Sequence, residues 1–135
     1  MVEMSITYDG QLRCSAAHGP SGTVIHTDAP RDNMGKGEAF SPTDLVGVAL
    51  ATCMMTTMAI VAQRKNIELA GTTVRVVKEM VADPVRRIAR LTVEFTCPVA
   101  LTPDQRQMLE NAAAACPVHK ALHGNVEMPV TFRWG

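Results

Sequence analysis

The chain is poor in aromatic residues and carries no net charge. Its 135 residues include one Trp, one Tyr and three Phe, and 13 basic side chains balance 13 acidic ones. The sequence therefore lacks both the basic patch and the stacking side chains of a nucleic-acid-binding surface, and it lacks a basic face for an anionic membrane. The first ten residues show no basic region followed by an apolar run. We therefore expect no secretory signal and a cytoplasmic location.

Metal-binding motifs are missing as well. The sequence has four cysteines, and no two of them form a C-x-x-C pair. Because zinc sites in sequences of this kind are recognised by such spacings, we expect no metal site. Thiols stay reduced in the cytoplasm, so structural or catalytic roles for these cysteines are favoured over a permanent disulfide framework.

One long uncharged stretch dominates what the chain does contain. No charged residue occurs in residues 45–62, and apolar side chains point in nearly every direction around a helix axis. Ser41, Pro42 and Asp44 together are typical of a helix start, so we predict a helix over residues 41–65. A helix that is apolar all round needs cover on most of its faces.

Two environments could cover this helix. About 18 uncharged residues approach the lower limit for a membrane span, but Thr, Gly and Ala residues dilute the apolarity and the rest of the chain reads as amphipathic strands. We therefore favour a central helix lying across a sheet, with no membrane partner. Because 135 residues are too few to cover such a helix all round, a homodimer is predicted.

The remaining pattern predicts a single α+β domain over residues 1–135, with antiparallel sheets packed around the long central helix. Alternating or β-branched runs and turn signals place the strands, and capping residues place two shorter helices. Strands are expected over residues 2–9, 11–17, 23–27, 72–82, 87–97 and 126–134, and helices over 102–115 and 116–124.

The four cysteines differ in their surroundings. Cys14 and Cys97 lie in predicted strands and are interpreted as small core or edge residues. Cys116 falls at the first turn of a short helix, where it is either a plain N-cap beside the core or a thiol whose pKa the helix dipole lowers. Cys53 lies in the middle of the long helix, and from the helix alone a buried, inert thiol is favoured. A reactive thiolate there needs a cationic partner from elsewhere, and the sequence offers Arg31 or Arg13.

Two stretches together resemble a known family. FSPTDLVGVALATCMMTTM surrounds Cys53, and AAAACPVHKAL surrounds Cys116. A Pro-led central helix with one cysteine, followed by a later C-P-V motif with another, resembles the OsmC/Ohr family of osmotically inducible and organic hydroperoxide resistance proteins. The resemblance extends over essentially the whole chain, and the two motifs are specific as a pair in this order.

The resemblance implies an intertwined homodimer and thiol-dependent reduction of hydroperoxides. Cys53 corresponds to the family's peroxidatic cysteine and Cys116 to its resolving cysteine. The substrate would be a small organic hydroperoxide or hydrogen peroxide, and a dithiol of the lipoyl type would restore both thiols. No metal or flavin cofactor is required, because the chemistry is displacement at sulfur.

The sequence departs from the family pattern at one position. The family's thiolate-stabilising Arg is oriented by a Glu ten residues before the peroxidatic cysteine, and this chain has Thr43 there. Arg31 is our candidate for the Arg, with Arg13 as the alternative, and Glu38 or Asp44 could supply the missing carboxylate. A competing hypothesis follows: an OsmC-like protein that binds a small apolar ligand or senses oxidation without efficient peroxide turnover.

Overall fold

The computed structural model describes all residues from Met1 to Gly135 and has a mixed α+β architecture of two three-stranded sheets and a long helix. The chain forms two compact units, Met1–Val46 and Gly47–Gly135. In chain order the elements are β1 (Met4–Gly10), β2 (Arg13–His18), β3 (Val24–Asp28), a 3-10 turn (Arg31–Asn33), α1 (Pro42–Arg64), β4 (Thr73–Val81), β5 (Arg87–Cys97), α2 (Pro103–Ala114), α3 (Pro117–Leu122) and β6 (Val130–Trp134).

The first unit is built on the predicted antiparallel meander, with strand order β1-β2-β3. Gly10, Gln11 and Leu12 all have positive φ, so the turn after β1 needs a glycine where it begins. The β2–β3 ladder pairs Arg13 with Asp28 at its end. This register places the two oppositely charged residues on one face of the sheet.

Helix α1 begins as the sequence predicts. The Ser41 N–H donates to the Asp44 carboxylate at 2.9 Å, and the Asp44 N–H donates to the Ser41 hydroxyl at 3.1 Å. These reciprocal bonds give hydrogen-bond acceptors to the backbone N–H groups of Ser41 and Asp44, which have no acceptor within the helix. A Cβ added at Gly47 would lie 3.5 Å from Leu91 and 3.6 Å from Val76, which shows that α1 packs against β4 and β5.

Much of α1 is left uncovered by the single chain. Its buried residues follow one face: Gly47, Leu50, Ala51, Met54, Met58 and Ala62. One third of its most apolar 18-residue window is buried. By length and composition α1 could cross a membrane, but a core helix meets the same test. The predicted homodimer, which would cover the remaining faces, stays a prediction at this point.

The sheet of the second unit has the order β4-β5-β6 and is mixed. The β4–β5 hairpin is antiparallel as predicted, but β6 pairs with β5 in parallel. The prediction of antiparallel sheets is therefore wrong for β6. The helices α2 and α3 lie between β5 and β6 in the chain and carry it back to the starting end of β5, as a parallel connection requires. The strand also starts at Val130 rather than near residue 126, because Pro129 has no N–H to donate.

The alternation in β5 correctly identifies the core of this unit. Its inward residues Leu91, Val93 and Phe95 have no exposed surface. The Phe95 ring stacks on Phe132 of β6 with centroids 4.7 Å apart, so the parallel pair is joined by ring contacts as well as by backbone bonds. On α2, Leu109 lies on the predicted inner stripe and is fully buried. The capping box predicted at the start of α2 is also present.

Candidate functional site

The second unit brings the two cysteines of the family-like motifs into contact. Cys53 on α1 and Cys116 before α3 are far apart in sequence, yet their thiols lie close enough for Cys53 to raise the pKa of Cys116. Both cysteines are free thiols. A disulfide requires two neighbouring sulfurs, so this is the pair of cysteines in the second unit that could form one.

Local sequence explains the position of Cys116. Pro117 occupies the first helical position of α3, where a missing N–H costs nothing, and Cys116 is the N-cap in an extended conformation. The Cys116 sulfur accepts a hydrogen bond from the His119 N–H at 3.2 Å. The thiol therefore takes the place of the usual Ser or Asp cap, which fixes its direction.

The expectation of a lowered pKa at Cys116 is wrong. Burial is the largest influence and raises the pKa of the Cys116 thiol above its ordinary value of 9.0; the His119 N–H lowers it, and the contact with Cys53 raises it again. Cys116 is fully buried, and removing a thiolate from water costs more than one hydrogen bond at a short helix returns. Cys116 therefore stays protonated at neutral pH.

Cys53 differs from its partner in access to solvent. It is partly exposed on α1, whereas Cys116 has no exposed surface. Cys53 is thus the more accessible cysteine of the pair. This difference in accessibility suits a reaction in which the accessible thiol reacts first with a molecule from solvent and the buried thiol then forms a disulfide with it.

The first unit contains a charged cluster around Arg13. Its Nη2 lies 2.8 Å from a Glu38 carboxylate oxygen and 3.5 Å from Asp28 Oδ2. The hydrogen bond with Glu38, followed by the charge of Asp28, raises the pKa of Arg13. The cluster borders a cavity of about 310 Å³ that Cys14 also lines. Arg13 is therefore a cation with carboxylate partners at a site that solvent can reach.

Arg31, the predicted catalytic arginine, has a different environment. It belongs to the 3-10 turn, and its Nε donates to the carbonyl oxygen of Lys36 at 3.1 Å. Glu38, considered as a partner for this arginine, pairs instead with Arg13. The role of Arg31 stays a prediction, and Arg13 is the candidate that has a carboxylate partner within this unit.

The other candidate carboxylate, Asp44, caps α1 through Ser41, as described above. Thr43, which replaces the family Glu, contacts the Ser41 hydroxyl at 3.1 Å. Both side chains thus contribute to the start of the helix. Sequence reasoning missed Asp28 as a partner of Arg13, although its side chain is only 1% exposed. Its position directly after the predicted strand over residues 23–27 was the signal that could have indicated the pairing.

The two remaining cysteines, Cys97 and Cys14, lie outside the pair formed by Cys53 and Cys116. Cys97 is buried, as predicted, and burial raises its thiol pKa. Cys14 is half-buried at the cavity beside Arg13. No three His, Cys, Asp or Glu side chains converge to hold a metal ion.

A comparison of the sequence with known protein families agrees with the resemblance that the two cysteine motifs suggest. The sequence pattern described as OsmC-like protein matches residues 35–131 of this chain. The chain belongs to the OsmC-like family. Among curated proteins, none matches it.

Solved structures of OsmC/Ohr proteins share the fold. A protein of Psychrobacter arcticus 273-4, provisionally named an osmotic stress induced and detoxification response protein, is 44% identical, with 98% of this chain and 96% of that chain covered and a TM-score of 0.92. An organic hydroperoxide resistance protein OsmC of Legionella pneumophila is 18% identical, with coverages of 98% and 96% and a TM-score of 0.78. The organic hydroperoxide resistance protein OhrB of Bacillus subtilis is 20% identical, with coverages of 98% and 98% and a TM-score of 0.73. For the proteins of Legionella pneumophila and Bacillus subtilis, which are 18% and 20% identical, the similarity shows a shared fold only.

Proposed function

We propose that this OsmC-like protein is a thiol-dependent peroxidase that reduces organic hydroperoxides or hydrogen peroxide. The observation that carries the proposal is the contact between an accessible Cys53 thiol and a buried, protonated Cys116 thiol. Two structural neighbours are named organic hydroperoxide resistance proteins. Reduction of a hydroperoxide is a reaction that such a pair of thiols can perform.

The proposed reaction has three steps. The Cys53 thiolate attacks the distal oxygen of the hydroperoxide, the O–O bond breaks, and the departing oxygen takes a proton to leave as an alcohol or water. The Cys116 sulfur then attacks the Cys53 sulfenic acid, which forms a disulfide; the departing hydroxide takes the Cys116 thiol proton and leaves as water. Finally a dithiol reductant, of the lipoyl type or another thiol, reduces the disulfide by two successive exchanges and is itself oxidised to a disulfide.

The proposed site includes a cation that stabilises the Cys53 thiolate. Arg31 is the candidate for this cation and Arg13 is the alternative; within the first unit, Glu38 and Asp28 lie beside the Arg13 guanidinium. Removing the guanidinium should slow oxidation of Cys53 by about tenfold or more, the effect of one lost charge contact. Comparing Arg13→Gln with Arg31→Gln decides between them.

Turnover tests the proposal directly. We expect the protein to consume cumene hydroperoxide and hydrogen peroxide when a dithiol is supplied. Cys53→Ser should abolish turnover, and Cys116→Ser should leave a sulfenic acid on Cys53 after one oxidation. Cys97→Ala is the matched control, because this cysteine is outside the pair, and it should retain activity. Full activity in Cys53→Ser would refute the peroxidase.

The competing hypothesis is an OsmC-like protein that binds a small apolar ligand or senses oxidation. The replacement of the family Glu by Thr43 is the observation that favours it. This hypothesis expects Cys53 and Cys116 to form one disulfide per chain with peroxide, followed by no sustained consumption even with excess dithiol. The steady-state rate separates the two hypotheses.

A homodimer in the cytoplasm completes the proposal. The exposed apolar faces of α1, of which Ile60 is 47% exposed, provide a surface that a second copy would cover. Sedimentation equilibrium should give twice the mass of 14.6 kDa. A monomer at micromolar concentration would contradict this part of the proposal.

A further inference from the structure

Two histidine rings lie beside each other at the end of α3. His119 belongs to the last turn of this helix and His123 is its C-cap residue, and the ring centroids are 6.1 Å apart with an angle of 23° between the planes. The His123 backbone N–H donates to the His119 carbonyl oxygen at 3.0 Å. The two residues are therefore one helical turn apart, and side chains at this spacing are neighbours on a helix surface.

Backbone bonds fix the chain that follows the histidine pair. Gly124 has φ +91°, a conformation that glycine adopts readily, and the Val126 N–H donates to the Leu122 carbonyl oxygen at 3.1 Å. Glu127 then forms a parallel bridge with Arg90 of β5. These bonds use main-chain groups, so they leave the imidazole nitrogens available to a ligand.

The histidine pair borders a cavity of about 470 Å³ whose remaining lining is residues 124–128. His119 is half-buried and His123 is exposed. A Cβ added at Gly124 would meet no heavy atom within 4 Å, so the space beside this turn is open. An ion from solvent therefore has access to the pair.

The charges beside this cavity favour a cation. The Glu127 carboxylate, which lines the cavity, accepts a hydrogen bond from Arg90 Nε at 3.0 Å, and Arg90 Nη1 lies 3.0 Å from a Glu79 carboxylate oxygen. One guanidinium is thus shared by two carboxylates, so this cluster carries a net negative charge. A negative cluster attracts cations and repels anions.

The imidazole ligands determine which cation the pair selects. Ni²⁺, Cu²⁺ and Zn²⁺ bind imidazole well, whereas Mg²⁺ and Ca²⁺ prefer oxygen ligands. Metal–imidazole bonds of about 2.0–2.1 Å bring two rings on one ion to a centroid separation of roughly 5–6 Å. The observed separation is close to that range, so rotation of the rings about their side-chain bonds is sufficient. The same spacing of four residues presents both imidazoles of the H-E-x-x-H zinc motif on one helix face.

We propose that His119 and His123 form a binding site for one divalent transition-metal ion of the Ni²⁺, Cu²⁺ or Zn²⁺ type. No third His, Cys, Asp or Glu side chain converges there, so water completes the coordination. The site therefore differs from a structural zinc centre, which has four protein ligands. This inference is independent of the proposed peroxidase reaction, which uses no metal.

Calorimetry of the reduced full-length protein with NiCl₂ tests the site. We expect one Ni²⁺ per chain. His119→Gln and His123→Gln should each weaken binding about tenfold or more, because one imidazole then replaces two. His18→Gln and His26→Gln are the matched controls, since these histidines lie in β2 and β3, and both should keep the parent affinity. No saturable binding at millimolar Ni²⁺, or an unchanged affinity in either His119→Gln or His123→Gln, would overturn the inference.

The thiols of Cys53 and Cys116 are the competing ligands, because thiolates also bind these metals. The double variant Cys53→Ser/Cys116→Ser removes both sulfurs and keeps a hydroxyl cap for α3, and it should bind Ni²⁺ with the parent affinity. Loss of binding in this variant would place the ion on the sulfurs and overturn the inference. The same variant lacks both thiols of the proposed peroxidase, so metal binding and peroxide turnover are decided separately.

Hydrogen exchange followed by mass spectrometry tests the effect of the ion on α3. The His119 N–H caps this helix through the Cys116 sulfur at 3.2 Å, and an ion that joins the His119 ring to His123 stabilises the folded turn over its open form. Ni²⁺ at about ten times its dissociation constant should slow exchange in residues 116–124 by about tenfold. Mg²⁺ should have no effect. Equal slowing by Ni²⁺ in the parent and in His123→Gln would show that the ion acts elsewhere and overturn the inference.

Discussion

Oxidation of the Cys53–Cys116 pair should stabilise the folded protein. The two thiols lie close enough to influence each other, and we expect the bond to close with little rearrangement of the native state. A disulfide that closes a loop of about 60 residues removes enough conformational entropy from the unfolded chain to stabilise the fold by about 4 kcal/mol. The bond also weakens the cap that the Cys116 sulfur provides to the His119 N–H, at a cost of about 1 kcal/mol.

The expected net gain is therefore about 3 kcal/mol, or roughly 10 °C in melting temperature for a chain of this size. We would compare urea unfolding of the protein reduced by a dithiol with that of the protein oxidised by one equivalent of peroxide. Cys116→Ser is the control, since it cannot form the bond and should not gain stability. An oxidised parent protein that is no more stable than the reduced one would refute the argument that the native geometry is ready for the disulfide.

Three further predictions concern the second unit. Gly47→Ala should raise the free energy of unfolding by about 0.5–1 kcal/mol in urea titrations, because the new methyl group meets Leu91 at an ordinary distance of 3.5 Å and the helix loses a flexible residue; Gly71→Ala, at φ +92°, should instead lower it. Phe95→Ala should cost about 3–5 kcal/mol in the same assay, because the ring is fully buried and stacked, and a loss below 1 kcal/mol would contradict that packing. Burial raises the pKa of Cys97 above 9.0, so the folded state holds its proton more tightly than the unfolded chain. The stability that this proton contributes is complete below about pH 9 and is lost as the pH rises further. Cys97→Ala should therefore make the free energy of unfolding fall less steeply between about pH 8 and about pH 10.5. An unchanged dependence on pH would refute the assignment.

Features that depend on neighbouring residues in sequence were predictable. The alternation of Leu91, Val93 and Phe95 identified the buried face of β5, because side chains alternate between the two faces of any strand. The starts of α1 and α2 followed from Ser41 with Asp44 and from Thr102 with Gln105, since a capping box spans only four residues. The N-cap position of Cys116 was predictable for the same reason, because Pro117 fixes where α3 begins.

Features that depend on distant residues were not predictable in the same way. The parallel direction of β6 follows from the path of the chain after Cys97, which alternation within the strand does not encode. The pKa of Cys116 was predicted in the wrong direction, because the burial that raises it comes from the surrounding fold whereas the helix dipole is a local property. The pairing of Glu38 and Asp28 with Arg13 arises from strand register and from the closure of a loop. The contact between Cys53 and Cys116 was anticipated only through the family resemblance.

The parallel pairing of β6 has a consequence for the order in which the protein becomes reactive. Residues 130–134 are synthesised after Cys116, and their ladder with β5 closes the crossover segment that carries this cysteine. The ladder and the backbone bonds of Glu127 with Ala89 and Leu91 hold the return path of the chain against β5. A nascent chain whose last residues are still inside the ribosome would lack these bonds, so we expect its Cys53 and Cys116 thiols to be held together less firmly than in the finished protein.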